Sequence, residues 1–524
     1  MAIPRHRFVA IWFENSGMNN YEANNSNMCP QACTGNGTLA AAVRVLALFL
    51  TLLIYSMLSM DFITNSDGLG AYSFLLLGYL YIEIRNLWAR ESQLFWINPV
   101  VLASIFTFVM AFGVTNILYF MPEDVVALVG LEPIATPWMN QLMLLVMLGA
   151  ISMWVGYSSS MGRSMGRRLQ RSRVLRKWMH SSFRINKPVV YAILAFSLIM
   201  KLWAIKLGVF GYSSTYDQLI AAASYTQYFA LVDLLGKLAL VCVALQCFAS
   251  SRPTFADRQL LWLVLGYQVA FGFLSGFKSA VVMPFVIVGI VFYSQRNRFP
   301  RWLIPAVVAG LMVAYAVIEP FRVARNEDAR FVGADIGSIV STMTSGSSIN
   351  KDDGGEGPST VLSILTRNNL TYVGSLGIEY AANHNELPAG SPAFLENIIL
   401  APLHALIPRF LWESKPLENT GLWYTNQVMG FDFNSATAYS PFTYLNFAGG
   451  PLAVILGFFL VGIFQRGLFD GLRYFGGGGL IVFFGLLGTL IQIDSAFNNF
   501  FVALVRFLPL LVVIQYVLLR RSRR

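Results

Sequence analysis

Charge is scarce in this chain. Asp, Glu, Lys and Arg make up 12% of its 524 residues, against roughly a quarter in soluble globular domains. That excludes a string of soluble domains. Histidine and cysteine occur four times each, too few for a disulfide-built scaffold. Cys29 and Cys33, in CPQAC, stand without the further ligands a zinc site needs, and Cys242 and Cys247 fall mid-span, as small core residues do. No Walker A, HExxH or nucleotide-sugar DxD string is present. Any chemistry is therefore expected to be metal-independent and without a cofactor, with basic side chains offsetting leaving-group charge.

What is there instead is apolar length: 56% of the residues are hydrophobic. Runs approaching the ~20 residues that cross a bilayer recur along the chain. They predict spans near 39–57, 70–84, 99–120, 138–158, 188–207, 227–249, 260–274, 279–294, 302–318, 444–464, 478–493 and 499–519. The aromatics Tyr79, Tyr81, Trp88, Trp96 and Trp302 lie near predicted ends, as an interfacial belt requires. The expected fold is an all-α polytopic membrane protein of about 12 transmembrane helices.

The formal net charge of +10 is mostly a topology signal. Residues 163–187 carry nine Lys or Arg and no acid, which predicts a cytoplasmic segment. Alternation places QRNRFPR (295–301), QRGLFDGLR (465–473) and RRSRR (520–524) on the same side, so that both termini are cytoplasmic. The chain divides into a polar N-terminal segment (1–38) with no cleavable signal peptide, spans one to nine (39–318), a large outer loop (319–443), spans ten to twelve (444–519) and a basic tail (520–524). Within the loop, 338–358 is Gly/Ser-rich, 359–383 reads as a helix, and 392–412 mixes apolar residues with prolines, as interfacial or re-entrant segments do. The loop is expected to fold back and roof an outward-facing cavity.

Thirteen of the 37 Lys and Arg lie outside the cytoplasmic segments. Arg322 and Arg325 share a helix face after the ninth span, Lys278 sits in the turn LSGFKS, and Arg409 and Lys415 belong to IPRFLWESKP. Five cations at one interface suit a diphosphate at headgroup depth; singly, each is equally an interfacial cation reaching lipid phosphates or nearby acids. Arg44, Asp233, Lys237 and Arg506 fall inside spans, where ionisable groups are costly. Asp233 and Lys237, at i and i+4, read as a mutually neutralising pair. A proton acceptor near the cations is sought in His404, Glu379 or Glu413. Trp412, Trp423, Tyr424, Asn426, Tyr439, Tyr444 and Asn446 suit sugar binding, through ring stacking and amide hydrogen bonds, or an interfacial belt.

Three stretches carry a resemblance: LSGFKSAVVMPFVIV (274–288), IPRFLWESKP (407–416) and SPFTYLNFAGGPLAVILGFF (440–459). In order and spacing they resemble the Wzy-type O-antigen and oligosaccharide repeat-unit polymerases, polytopic GT-C-like glycosyltransferases of the bacterial inner membrane. Lys278 stands where that family often has Arg, and Thr443 where an acid often precedes the Tyr. The resemblance implies a polymerase that transfers a growing glycan from undecaprenyl diphosphate to a lipid-linked repeat unit at the periplasmic face. It implies diphosphate binding by Lys278, Arg322, Arg325, Arg409 and Lys415, catalysis by His404, Glu379 or Glu413, and sugar contacts from Trp412, Tyr444 and Asn446. Lipid-linked donor and acceptor are then the partners, with room for a chain-length regulator protein and none for nucleic acid. An O-antigen ligase using the same donor, a flippase for the lipid-linked unit and a membrane scaffold are the competing readings.

Overall fold

The computed structural model describes residues 30–91, 95–121, 135–179, 185–207, 209–210, 226–249, 253–296, 368–384, 386–388, 390–407, 411–412, 420–431, 436–493 and 496–519, with isolated positions between 302 and 366. Among these the chain is helical, and its one β-bridge joins Ile185 to Leu519. The helices are α1 (Pro30–Ser59), α2 (Asn65–Arg90), α3 (Pro99–Ala103), α4 (Pro137–Ser158), α5 (Ser160–Arg171), α6 (Arg173–Trp178), α7 (Lys187–Lys206), α8 (Thr226–Ala249) and α9 (Phe255–Leu274). They continue as α10 (Lys278–Arg296), α11 (Leu370–Asn383), α12 (Phe394–Ile399), α13 (Ala401–Leu406), α14 (Thr420–Trp423), α15 (Pro441–Arg473), α16 (Gly476–Ile491) and α17 (Asn498–Leu518). α3 runs on through a π-helical stretch, Ser104–Val114, and a 3₁₀ turn, Thr115–Phe120.

Among the described residues, seven helices are long and apolar enough to cross a membrane: Thr38–Ser59, Pro99–Phe120, Pro137–Ser158, Lys187–Lys206, Leu231–Ala249, Pro441–Arg473 and Asn498–Leu518. The protein is thus an all-α polytopic membrane protein. Local chemistry explains the boundaries. Asn98, Thr136 and Ser440 cap helices whose first turn holds a proline, where its missing N–H costs nothing. Thr64 with Asp67, and Thr254 with Asp257, form reciprocal capping boxes.

The core of the bundle is the parallel pairing of α4–α5 with α15. Small residues let the two backbones approach. A Cβ on Gly462 would lie 2.0 Å from the Met153 carbonyl oxygen, and one on Gly156 would lie 2.1 Å from that of Phe459. A Cβ on Gly162 or Gly166 would stand 2.9 Å from the Cβ of Arg466 or Asp470. A buried polar network closes this end. Arg466 donates to Glu91 (2.8 Å), Asp470 (2.5 Å) and the Tyr157 hydroxyl (3.2 Å), and Asn98 donates to Tyr157 (2.6 Å). Gln515 bonds the Trp178 carbonyl, and the Asn186 amide bonds that of Leu518. These contacts gather Arg163, Arg167, Arg168, Arg171, Arg473 and Lys187 at one end of the bundle, hereafter the basic end.

At the opposite end Asn140 bonds Asn65 (3.0 Å), Thr371 bonds Asn116 (2.6 Å), and Thr443 donates to the Gly374 carbonyl (3.0 Å). The helix read over 359–383 is described as α11 across its second part. Tyr79, read as an interfacial aromatic, is instead buried and hydrogen-bonded to Glu83; its place in mid-α2 puts it inside the bundle. Tyr81 and Trp88 are exposed. Cys242 and Cys247 are buried, as read.

Candidate functional site

α12 and α13 are short because prolines bracket them. Pro392 precedes the first, Pro402 opens the second, and α13 stops at Leu406, two residues before Pro408. Their outward face is apolar: Leu395, Ile399, Leu403 and Leu406 are all exposed. On a protein with membrane-length apolar helices, such a face is suited to contact with lipid. His404 points the other way and is 8% exposed.

Behind His404 stands α17. Arg506 donates from Nε to the Ala405 carbonyl and from Nη2 to the His404 carbonyl, at 3.4 Å each. A guanidinium against the last carbonyls of a helix satisfies acceptors that lack an intrahelical partner and matches the negative end of its dipole. The Trp412 ring lies 5.5 Å from the imidazole. His404, Trp412 and Arg506 are therefore brought together from α13, the segment after it and α17. Arg506, without an acid close in sequence, finds carbonyls instead.

A second group is aromatic. Phe394 touches Tyr444 (4.9 Å), Phe447 (5.0 Å) and Trp423 (5.5 Å), and Trp423 meets Tyr380 (6.0 Å) on α11. Tyr424 stacks on Tyr439 at 4.3 Å and donates to the Val373 carbonyl. Burial raises the Tyr424 hydroxyl pKa well above its ordinary value. Tyr424, Tyr439 and Tyr444 are wholly buried. These three rings, read as sugar contacts or an interfacial belt, pack α11, α12 and the 420–440 segment onto α15. Thr443, at the position where an acid was looked for, is buried and spends its hydroxyl on Gly374. Glu379 is half-buried on α11, beside Tyr380, with no ion pair among the described residues.

Asn446 is half-buried and lies just before a break in α15. Gly450 adopts φ +66°, ψ −158°, a conformation open to glycine alone, and Pro451 follows. Gly449 is exposed, and a Cβ at Gly450 would meet nothing within 4 Å. The break interrupts the helical ladder inside a membrane-length element, which proteins tolerate where the freed groups find protein or a wet cavity.

Of the proposed cations, Lys278 is the first residue of α10, with its side chain outside the described atoms. Arg322, Arg325, Arg409 and Lys415, and the candidate acid Glu413, lie outside the described residues, as do 338–358, Cys29 and the tail 520–524. No group of three or more His, Cys, Asp or Glu able to hold a metal occurs among the described residues. A GxSxG string, GRSMG at 162–166, lies within the regular helix α5 with both glycines pressed on α15. The strand-to-helix elbow that exposes a nucleophilic serine is not there. An open groove of about 700 Å³, lined by Ser160, Ser164, Arg167 and Arg168, sits at the same basic end, away from His404.

Two intramembrane residues escaped the sequence reading. Glu83 pairs with Arg44 (2.5 Å), which also bonds Ser158 (2.8 Å). Lys201 approaches Asp233, whose i+4 pairing with Lys237 is present at 2.6 Å. A full inventory of ionisable residues within the apolar runs would have found both. No protein-family model, curated protein or solved structure matches the chain.

Proposed function

We propose that this protein is a metal-independent membrane glycosyltransferase that extends a polysaccharide. Its donor is a glycan on undecaprenyl diphosphate and its acceptor a lipid-linked repeat unit. The observation that carries the reading is the gathering of His404, Trp412 and Arg506 behind the exposed apolar face of α12 and α13. A lipid-borne anion meets a protein at such a boundary, where an apolar surface for its tail adjoins titratable and cationic side chains for its head.

In the proposed reaction an acceptor hydroxyl oxygen attacks the anomeric carbon of the donor sugar. The bond from that carbon to the diphosphate oxygen breaks, and its electron pair leaves on the diphosphate. The hydroxyl proton passes to His404, with Glu379 and Glu413 as the other candidate bases. Lys278, Arg322, Arg325, Arg409 and Lys415 take the leaving-group charge; Trp412 and Asn446 contact sugar. Two shorter apolar helices, Ala280–Arg296 and Gly476–Ile491, are candidates for spans beyond the seven. The clustering of Lys and Arg supports a cytoplasmic basic end, with His404 facing the periplasm.

The test is reconstitution of the purified chain with lipid-linked repeat units in EDTA. A ladder of products is expected. His404→Ala should slow it by about 10²–10⁴-fold, and Arg409→Ala should reduce it while the protein stays folded. Unchanged substrate beside an active control enzyme, or full activity in both variants, overturns the proposal.

A further inference from the structure

Away from His404, three helices enclose a second charged group. α7, α8 and α9 adjoin at the ends marked by Lys206, Thr226 and Leu274: Trp203 meets Phe229 at 5.7 Å, and Phe210 meets Phe271 at 6.0 Å. Roughly 7–17 Å below those ends, at 1.5 Å per residue, lie Ser197 and Lys201 from α7, Asp233 and Lys237 from α8, and Tyr267 and Gln268 from α9.

Among the described residues the charges do not balance. Asp233 gives one carboxylate oxygen to Lys237 at 2.6 Å, while Lys201 reaches the other only at 3.9 Å. Two ammonium groups thus share one carboxylate. The Lys201 side chain is 9% exposed, with its amine 5.0 Å from the centres of both the Tyr267 and Phe271 rings. Ring faces offset part of the desolvation of a buried cation, but they supply no anion. Beside it, Gln268 is 5% exposed and its side-chain nitrogen has no hydrogen-bond partner among the described residues. That nitrogen lies over Gly236, the residue before Lys237, where a Cβ would stand 2.4 Å away. The Ser197 and Tyr267 hydroxyls bond one another at 2.8 Å, so one hydroxyl proton stays available. Lys237 and Asp233 are half-exposed, which opens the group to the flank of α8.

We propose that Lys201, Lys237 and Gln268 form a binding site for a single phosphate group carried on a membrane lipid. Surplus positive charge, an unspent amide donor and an opening at the bundle surface are what a lipid phosphate needs, and Asp233 sets the affinity by competing for the same ammonium groups. This site stands independently of the glycosyl-transfer reading, since its readout is lipid retention and not product formation.

The experiment is native mass spectrometry of the purified full chain in detergent, titrated separately with phosphatidylglycerol, undecaprenyl phosphate and zwitterionic phosphatidylcholine. One saturable anionic lipid is expected on the wild type, and whichever of the first two binds tighter identifies the source. Lys237→Gln, a half-exposed position that does not threaten folding, should weaken that step about tenfold, as loss of a charge-assisted hydrogen bond does. Lys201→Gln should do the same, and Asp233→Asn should tighten it. A purely structural role predicts the opposite sign for Asp233→Asn. Weaker binding in that variant, equal retention across all variants, or no preference over phosphatidylcholine overturns the proposal.

Discussion

At the scale of single residues, the charges inside the membrane decide most of what can be tested. Arg44 read as a functional candidate because a lone cation in an apolar span is costly. The structure gives it Glu83 and Ser158, and with them a role in holding α1 to α2 and α4. Glu83→Leu strands that guanidinium among apolar helices. It should cost roughly 3–5 kcal/mol, because the remaining charge loses its partner while staying buried. The Arg44→Leu/Glu83→Leu double change should recover most of the loss. Thermal unfolding in detergent measures both, and equal stability of the single and double variants would deny the coupling. Each charge was legible in the sequence. Its partner was not, since Arg44 and Glu83 lie on different helices and no local pattern joins them.

At the scale of elements, contact geometry matters more than composition. Gly156 and Gly462 face carbonyls of the opposing helix at distances no side chain can share. Gly462→Val should force α4 and α15 apart at a cost of about 3 kcal/mol or more, read as loss of the monodisperse peak in size-exclusion chromatography. A Cβ added at Gly78 or Gly266 would instead meet nothing within 4 Å. Alanine there should stabilise by about 0.5–1 kcal/mol, since helix interiors favour it over glycine. If all four positions behaved alike, the close pairing would not be what holds this core. Helix positions were readable to within a few residues, as for Pro99–Phe120 and Pro137–Ser158, because length, hydropathy and prolines act locally. The break at Gly449 and Gly450 was visible only as a motif, and its backbone conformation emerges from the surrounding packing.

At the scale of the whole molecule, orientation is the quantity to check. In a variant with Cys29 and Cys33 replaced by serine, the remaining cysteines, Cys242 and Cys247, are buried. Cysteines placed at exposed Arg171 and Asn383 then report on the two ends. A membrane-impermeant thiol reagent should label position 383 in intact spheroplasts, and position 171 only after permeabilisation. The reverse pattern would invert the topology and move the candidate site to the cytoplasm.

The sequence by itself determined that this is an all-α membrane protein with its basic residues gathered toward one side, because hydropathy, helix length and charge bias are properties of short stretches. Only the tertiary structure decided that Tyr424, Tyr439 and Tyr444 bind the chain to itself, that Arg506 backs His404, and that Lys201 joins Asp233 and Lys237. Those outcomes depend on which helices lie side by side, and the energy of a buried ring or charge is set by its neighbours in space.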